Sequence, residues 1–389
     1  MSGLSIRNAR VLTESGFHAG LSVTVRAGRI DCVGGEREPA GAETFDAGGL
    51  TLLPGFVDLQ VNGGGGVLFN DAPTVETLGA IGAAHCRFGT TGFLPTLITD
   101  EIETIARGMA AVDAAIEAGV PGVLGIHVEG PFLNEKRRGV HDASLMRPPD
   151  DAAVELLTSL RHGRTLVTLA PEIVPARYLD RLVDSGVIVA AGHTDAGYPE
   201  VRAALDAGLH GFTHLYNAMS PLASRAPGAV GAALEDPNSW CGLIADGFHV
   251  HPAALRIAIA SKPQGRCLLV TDAMPCVGTS LESFELQGRT IRVAGGRCVT
   301  GDGVLAGSAL DMAAAVRYAM SALDVDEADA VRMASGYPAD AVGLGKELGR
   351  VAAGYRADLV LVDEAYGVVA TWVGGRQVFG RGADAPVDA

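Results

Sequence analysis

Val187-Ile188-Val189-Ala190-Ala191-Gly192-His193 is a short apolar, β-branched run that ends on an imidazole, and Gly211-Phe212-Thr213-His214 repeats the phrase further along the chain. Runs of this length and composition read as buried strands. Residues 200–207 between them carry helical spacing, so the local unit is strand, helix, strand. The same phrase recurs from Leu52 to about Leu323, with strands expected at 52–60, 92–96, 123–129, 166–172, 187–193, 211–214, 242–246 and 268–272. Helices are expected after most of them, at 75–88, 102–118, 152–161 and 309–321 as well as 200–207. Eight such strands predict an α/β fold, a (β/α)8 TIM-like barrel. The placement of polar residues decides for the barrel over a doubly wound sheet, because reactive groups of a barrel gather at the C-terminal ends of its strands.

Outside this block, residues 4–12, 21–33, 44–51, 351–362 and 368–378 alternate apolar and polar like antiparallel strands. Both chain ends are therefore expected to build one small β-sandwich. The domains are 1–51 and 349–382 for the two parts of the small β domain and 52–348 for the catalytic barrel, with a hairpin inserted at 284–299 and an Ala/Gly/Asp tail at 381–389.

With 30 basic and 45 acidic side chains the net charge is −15, which excludes nucleic acid and anionic membranes as natural partners. No apolar run approaches a membrane span, and residues 1–10 have no apolar signal core, so a cytoplasmic location is expected. Six scattered cysteines without a CxxC pair fit a reducing compartment and read as small core residues.

The strand ends carry Gln60 and Asn62, Thr96, Glu129, Glu172, His193, His214, Asp246 with His249 just beyond, and Asp272. Any one of these alone reads as a satisfied core hydrogen bonder. Glu129, His193 and His214, on strands three, five and six, converge on one mouth as a carboxylate and two imidazoles, which is the donor set of a catalytic divalent metal. Zinc is expected, with iron, cobalt and manganese compatible. Asp272, at the end of strand eight, faces that position and can take a proton from an activated water and return it to a leaving amine. His127 lies deeper on strand three and reads as support; His85, His162, His18 and His210 read as packing or surface residues. Gly63 to Gly66 form only a weak anion-binding signal, and the charged run Glu135-Lys136-Arg137-Arg138 reads as a loop near the mouth.

His127-Val128-Glu129-Gly130-Pro131-Phe132, Leu169-Ala170-Pro171-Glu172, Gly192-His193-Thr194, Thr213-His214-Leu215-Tyr216-Asn217-Ala218-Met219, Ile244-Ala245-Asp246-Gly247-Phe248-His249 and Val270-Thr271-Asp272-Ala273 together resemble the N-acetylglucosamine-6-phosphate deacetylase family of the amidohydrolase superfamily. The likeness runs from about Leu52 to Gly375. It implies one divalent metal on Glu129, His193 and His214, with Asp272 as catalytic acid/base and His141 on the substrate's acetamido carbonyl. It further implies phosphate binding by Asn217, Ala218 and Arg225, the last from a neighbouring subunit of a homodimer, and sugar binding by His249. The implied reaction is hydrolysis of N-acetyl-D-glucosamine 6-phosphate, a small amino-sugar phosphate, to glucosamine 6-phosphate and acetate.

Most superfamily members carry His-x-His at the end of strand one and often a carboxylated Lys on strand four. Gln60-Val61-Asn62 replaces the first, and Lys136, Lys262 and Lys346 stand elsewhere, so a single ion is expected. Three rivals are weighed against this reading. A deacetylase of another N-acetylhexosamine phosphate, such as the galactosamine epimer, would use the same machinery. A glycosidase built on Glu172 and Asp246 would leave the Glu-His-His set unexplained. A non-catalytic sugar-phosphate-binding scaffold would be expected to have lost a ligand or the acid/base, and all four are present.

Overall fold

Each of the eight apolar runs forms a strand buried along its length, Arg164 at the start of one excepted, as expected of a sheet covered on both faces. The computed structural model describes residues 3–35 and 41–382, so the tail expected at 381–389 lies outside the described residues from 383 onward. The barrel strands are β1 (Phe56–Val61), β2 (Thr90–Ile98), β3 (Gly125–Glu129), β4 (Arg164–Leu169), β5 (Ile188–Ala191), β6 (Gly211–Phe212), β7 (Trp240–Ile244) and β8 (Cys267–Val270). They pair in parallel in sequence order. The ring closes just beyond β8, where the Asp272 N–H donates to Gln60 O at 2.9 Å and the Asn62 N–H to Ala273 O at 2.9 Å.

The helices bury one stripe against this ring. Helix α1 (Val75–Cys86) starts where the Thr74 hydroxyl accepts from the Thr77 N–H, and it buries Leu78, Ile81 and Cys86. Replacing that cap by Ala costs about 1 kcal/mol, whereas Leu78→Ala costs about 2–5 kcal/mol, so burial of the stripe outweighs the cap.

Several strands end earlier than the sequence suggests. The expected runs ending on Glu172, His193, His214 and Asp272 stop at Leu169, Ala191, Phe212 and Val270. For three of them the cause is backbone conformation: His193, His214 and Asp272 have φ of 49, 33 and 53°. A left-handed residue leaves the ladder, and for an L-residue this costs about 1–2 kcal/mol. Such strain persists where the surroundings hold it, commonly at functional sites.

The expected first strand, 52–60, is two strands in different sheets. Thr51–Pro54 pairs with Leu4–Thr13 and with Leu359–Val362 in the small β domain, and the barrel starts only at Phe56. Pro54-Gly55 makes the crossing. A Cβ on Gly55 would lie 2.1 Å from Thr91 Oγ1, so only glycine passes there. Thr51–Pro54 thus runs in the sheet of the small β domain, and Val351 packs in the core of that same domain.

Both termini build the small β domain. Its eight strands share one hydrogen-bonded sheet, and Ile6, Val23 and Ile30 from one end of the chain pack in the same core as Leu359, Ala370 and Trp372 from the other. The sheet bends round on itself: Ile30 N–H donates to Tyr355 O at 2.9 Å. The insertion after β8 is larger than the hairpin expected at 284–299. It is a four-stranded antiparallel sheet, Ser283–Leu286, Arg289–Ala294, Arg297–Val299 and Leu305–Ser308. Its last strand docks beside the end of β8, where Ser308 N–H donates to Asp272 O at 2.8 Å.

Candidate active site and metal centre

The strand ends open into a cavity of about 330 Å3 lined by Asn62, Glu129, His141, His193, His214, Asn217, Ala218, His249 and Asp272, with Met274, Val304 and Leu305 closing one side. Eight of the nine site residues named from the sequence thus share one cavity. Arg225 is the exception: it stands exposed in the loop after His214 and does not line the pocket of its own chain.

Glu129, His193 and His214 bring one donor atom each within 4.8 Å of one another, all buried. Glu129 Oε1 lies 2.8 Å from His214 Nε2 and 3.2 Å from His193 Nε2, and the two Nε2 atoms are 3.1 Å apart. The His193 tautomer follows from its other nitrogen. Nδ1 lies 2.8 Å from the carbonyl oxygen of Arg137, which can only accept, so Nδ1 carries a proton and Nε2 is the nitrogen left to offer a lone pair to an ion. A lone pair aimed at a carboxylate oxygen is repulsive unless a cation lies between them. The donor chemistry thus fits a divalent ion, with separations close to the ~3.3 Å expected between ligands about 2.0 Å from a tetrahedral centre.

The second carboxylate oxygen of Glu129 is occupied. Gln60 Nε2 donates to Glu129 Oε2 at 3.1 Å and to Asp272 Oδ1 at 3.2 Å, and Asn62 Nδ2 donates to Asp272 Oδ1 at 2.7 Å. Both amides at the end of β1 therefore spend their N–H groups on carboxylates. Burial works against charge on Glu129, yet the two imidazoles outweigh it and hold its carboxyl well below the usual range. Burial also weighs against a proton on His214, but Glu129 more than offsets it and raises that imidazole's pKa. Asp272 is shifted the other way, up to about 6, first by burial and then by the charge of Glu129. A buried carboxyl poised near neutrality suits a group that must both take and give a proton.

His249 Nδ1 donates to Asp246 Oδ2 at 2.6 Å, which fixes its ring and leaves Nε2 for a ligand. Asp246 is committed to this contact and to the amides of Phe248 and His249, and Glu172 to Asn134, Thr194 and the Asp195 amide. Glu172 and Asp246 are therefore not free to act as a glycosidase pair, and neither lines the cavity. His127, two residues before Glu129 on β3, is held between Thr96 and Thr168. His85 is a packing residue bonded to Gly63 O, and His210 lines a separate surface depression. The Gly63 to Gly66 loop does not line the cavity; a Cβ on Gly64 would meet the His85 ring at 2.8 Å. His141 is buried against the His193 ring, with centroids 4.4 Å apart, and burial pushes its pKa down to about 3, so it works as a neutral ring.

Some contributors carried no strand-end signal. The Arg137 carbonyl acts through backbone, which no side-chain pattern reveals. Thr99 lies beyond the last strand residue of β2, and only its nearness to Thr96 at the barrel mouth could have marked it. Val304 and Leu305 come from the inserted sheet, whose arrival at the cavity depends on tertiary folding.

Residues 51–378 match the family described as "Amidohydrolase family". Among curated proteins the chain is 45% identical over 332 residues, 85% of this chain and 83% of the relative, to an N-acetylgalactosamine-6-phosphate deacetylase of Shewanella sp. (strain ANA-3). It is 37% identical over 400 residues, covering 97% of this chain and 95% of the relative, to the Homo sapiens N-acetylglucosamine-6-phosphate deacetylase. The crystal structure of N-acetylglucosamine-6-phosphate deacetylase from Pasteurella multocida superposes with a TM-score of 0.93 at 32% identity, covering 96% of this chain and 99% of that one. The chain belongs to the amidohydrolase family and stands within it beside the N-acetylglucosamine-6-phosphate and N-acetylgalactosamine-6-phosphate deacetylases.

Proposed function

We propose that this protein hydrolyses the acetamide of N-acetyl-D-glucosamine 6-phosphate to glucosamine 6-phosphate and acetate. The observation that carries the reading is the convergence of Glu129, His193 and His214 in one cavity with a buried Asp272 that belongs to neither the metal set nor an ion pair. A divalent ion bound to the three ligands, zinc in the first instance, supplies Lewis acidity for the carbonyl and acidifies water. Asp272 Oδ1 is held by Asn62 and Gln60, which orients the carboxyl to accept the proton of the attacking water and then to deliver it to the departing amine nitrogen. His141, a neutral ring in the wall, donates to the acetyl oxygen as negative charge develops there. His249 fixes the sugar hydroxyls through Nε2.

The phosphate end lies toward Asn217 and Ala218. A dianion in a chain of net charge −15 calls for a local cation, and Arg225 supplies it from the partner of a homodimer. Within one chain Arg225 does not reach the cavity, which supports this assignment to the partner.

The 45% identity to a galactosamine 6-phosphate deacetylase favours one second reading, the C4 epimer of the same substrate. Acetate release from both 6-phosphates and from unphosphorylated N-acetylglucosamine tests the reading. A kcat/KM highest for the glucosamine derivative supports it, a preference for the epimer replaces it by the second, and no acetate from either phosphate by metal-loaded protein overturns both.

A further inference from the structure

His141 must present a proton to the cavity if it is to stabilise an oxyanion, and an isolated imidazole does not choose which nitrogen carries it. The structure makes the choice through Thr99. His141 Nδ1 lies 2.8 Å from Thr99 Oγ1 and also accepts from the Thr99 backbone N–H at 3.4 Å. The hydroxyl could play either part, but the amide can only donate. An N–H aimed at Nδ1 requires that this nitrogen be bare, so the hydroxyl donates to it at 2.8 Å rather than to the Glu129 carbonyl at 3.4 Å, and Nε2 holds the proton.

Thr99 lies in a loop, and what holds that loop is a side chain from the inserted sheet. Gln287, at the turn between Ser283–Leu286 and Arg289–Ala294, donates from Nε2 to Thr99 O at 2.6 Å. Its Oε1 accepts from the Asp142 N–H at 3.0 Å, so one amide ties the residue next to His141 to the residue that bonds the His141 ring. Gln287 itself has φ of 48°, a conformation the turn imposes, and it is half-buried. A solvated turn residue would need neither contact.

We infer that Thr99 and Gln287 are positioning residues that lock His141 in its Nε2–H tautomer and aim that proton at the acetyl oxygen. This deepens the proposed function and rests on the role given there to His141. It also gives the insertion after β8 a purpose: besides walling the cavity, it braces the oxyanion donor.

The test pairs kinetics of the metal-loaded enzyme on N-acetylglucosamine 6-phosphate with 15N imidazole spectra, the His141 signals being assigned by their loss in His141→Gln. Wild-type His141 should show an unprotonated Nδ1 and a protonated Nε2. Thr99→Val should lower kcat on the order of tenfold with KM changed less than about twofold and should mix the tautomers, while Thr99→Ser restores both. Gln287→Glu, which can accept from Asp142 but cannot donate to Thr99 O, should lower kcat as Gln287→Ala does, by about threefold or more. A protonated Nδ1 in wild type overturns the inference whatever the kinetics. So does full kcat in Thr99→Val and Gln287→Ala while His141→Gln is slow. Full kcat in His141→Gln overturns the catalytic role of His141 instead, and the spectra still decide whether Thr99 and Gln287 set the tautomer.

Discussion

Asn62 donates its amide proton to Asp272 across the seam of the barrel, 2.7 Å from Nδ2 to Oδ1, and so joins the ends of the first and last strands at the carboxyl proposed to carry the proton. With Gln60 on the same oxygen, Asp272 is oriented by two neutral donors rather than by a cation. A cation there would lower its pKa strongly; the amide of Asn62 lowers it only in part, and burial and the charge of Glu129 keep it up at about 6, as a proton shuttle needs.

Asp272→Asn preserves shape and cannot shuttle a proton. It should keep its metal content and lower kcat by on the order of 100-fold or more. Acetate release beside a metal assay of the same sample checks this, and near-normal turnover in folded, loaded protein would remove Asp272 from the mechanism.

The same two amides bear on metal number. Their N–H groups point at Glu129 and Asp272, and neutral amide oxygens are weak ligands beside imidazole, so the end of β1 is a poor half-site for a second ion. After chelation, activity should return on readdition with a plateau near one equivalent per chain. Gln60→His with Asn62→His should raise that stoichiometry. A wild-type plateau at two tightly held ions, both needed for turnover, contradicts the reading.

Legibility in the sequence followed the physics of each feature. Buried parallel strands are runs of Val, Ile, Leu and Ala, so the eight barrel strands stand out, and the polar residues just past them mark one mouth because parallel strands share a direction. His193 and His214 could be assigned to it without seeing their left-handed backbones. The break at Pro54-Gly55 was hidden because both flanking strands are apolar, one facing the barrel and the other the small core. The bracing by Gln287 was hidden for a different reason: Asp142 and Gln287 lie far apart in the chain, and no periodicity in either segment encodes their meeting.

Arg225 tests the assembly. It is exposed in its own chain, and the proposed homodimer would place it at the partner's phosphate position. Arg225→Ala should raise KM for the 6-phosphate far more than for the unphosphorylated sugar. Mixing Arg225→Ala with Asp272→Asn chains should recover part of the activity, since one site of a hybrid dimer then has both residues. No recovery after demonstrated subunit exchange would place Arg225 in its own subunit's service or outside the site.

Asp58 connects the barrel seam to stability. It is fully buried on β1, where Oδ2 accepts from the Thr271 hydroxyl at 2.5 Å and Oδ1 accepts from the amides of Gln60 and Thr271 at 3.2 Å each. Burial pushes its pKa up to about 7, against the partial relief of those donors, while an unfolded Asp titrates near ~3.9. Between those two values the folded chain binds one proton more than the unfolded chain, so stability falls as pH rises. The contribution is fully present below about pH 4 and lost by the time pH has passed about 7. Asp58→Asn mimics the protonated form and removes this dependence. With metal chelated, the wild-type Tm should fall relative to that of Asp58→Asn as pH goes from about 5 to about 8, and the corresponding difference in unfolding free energy should change by less than the one-proton ceiling of about 1.4 kcal/mol per pH unit. Scanning calorimetry of the two proteins across that range is the measurement. Parallel Tm curves would mean that Asp58 is charged throughout, and that the clamp on Gln60 and Thr271 is an ionised carboxylate held by its donors.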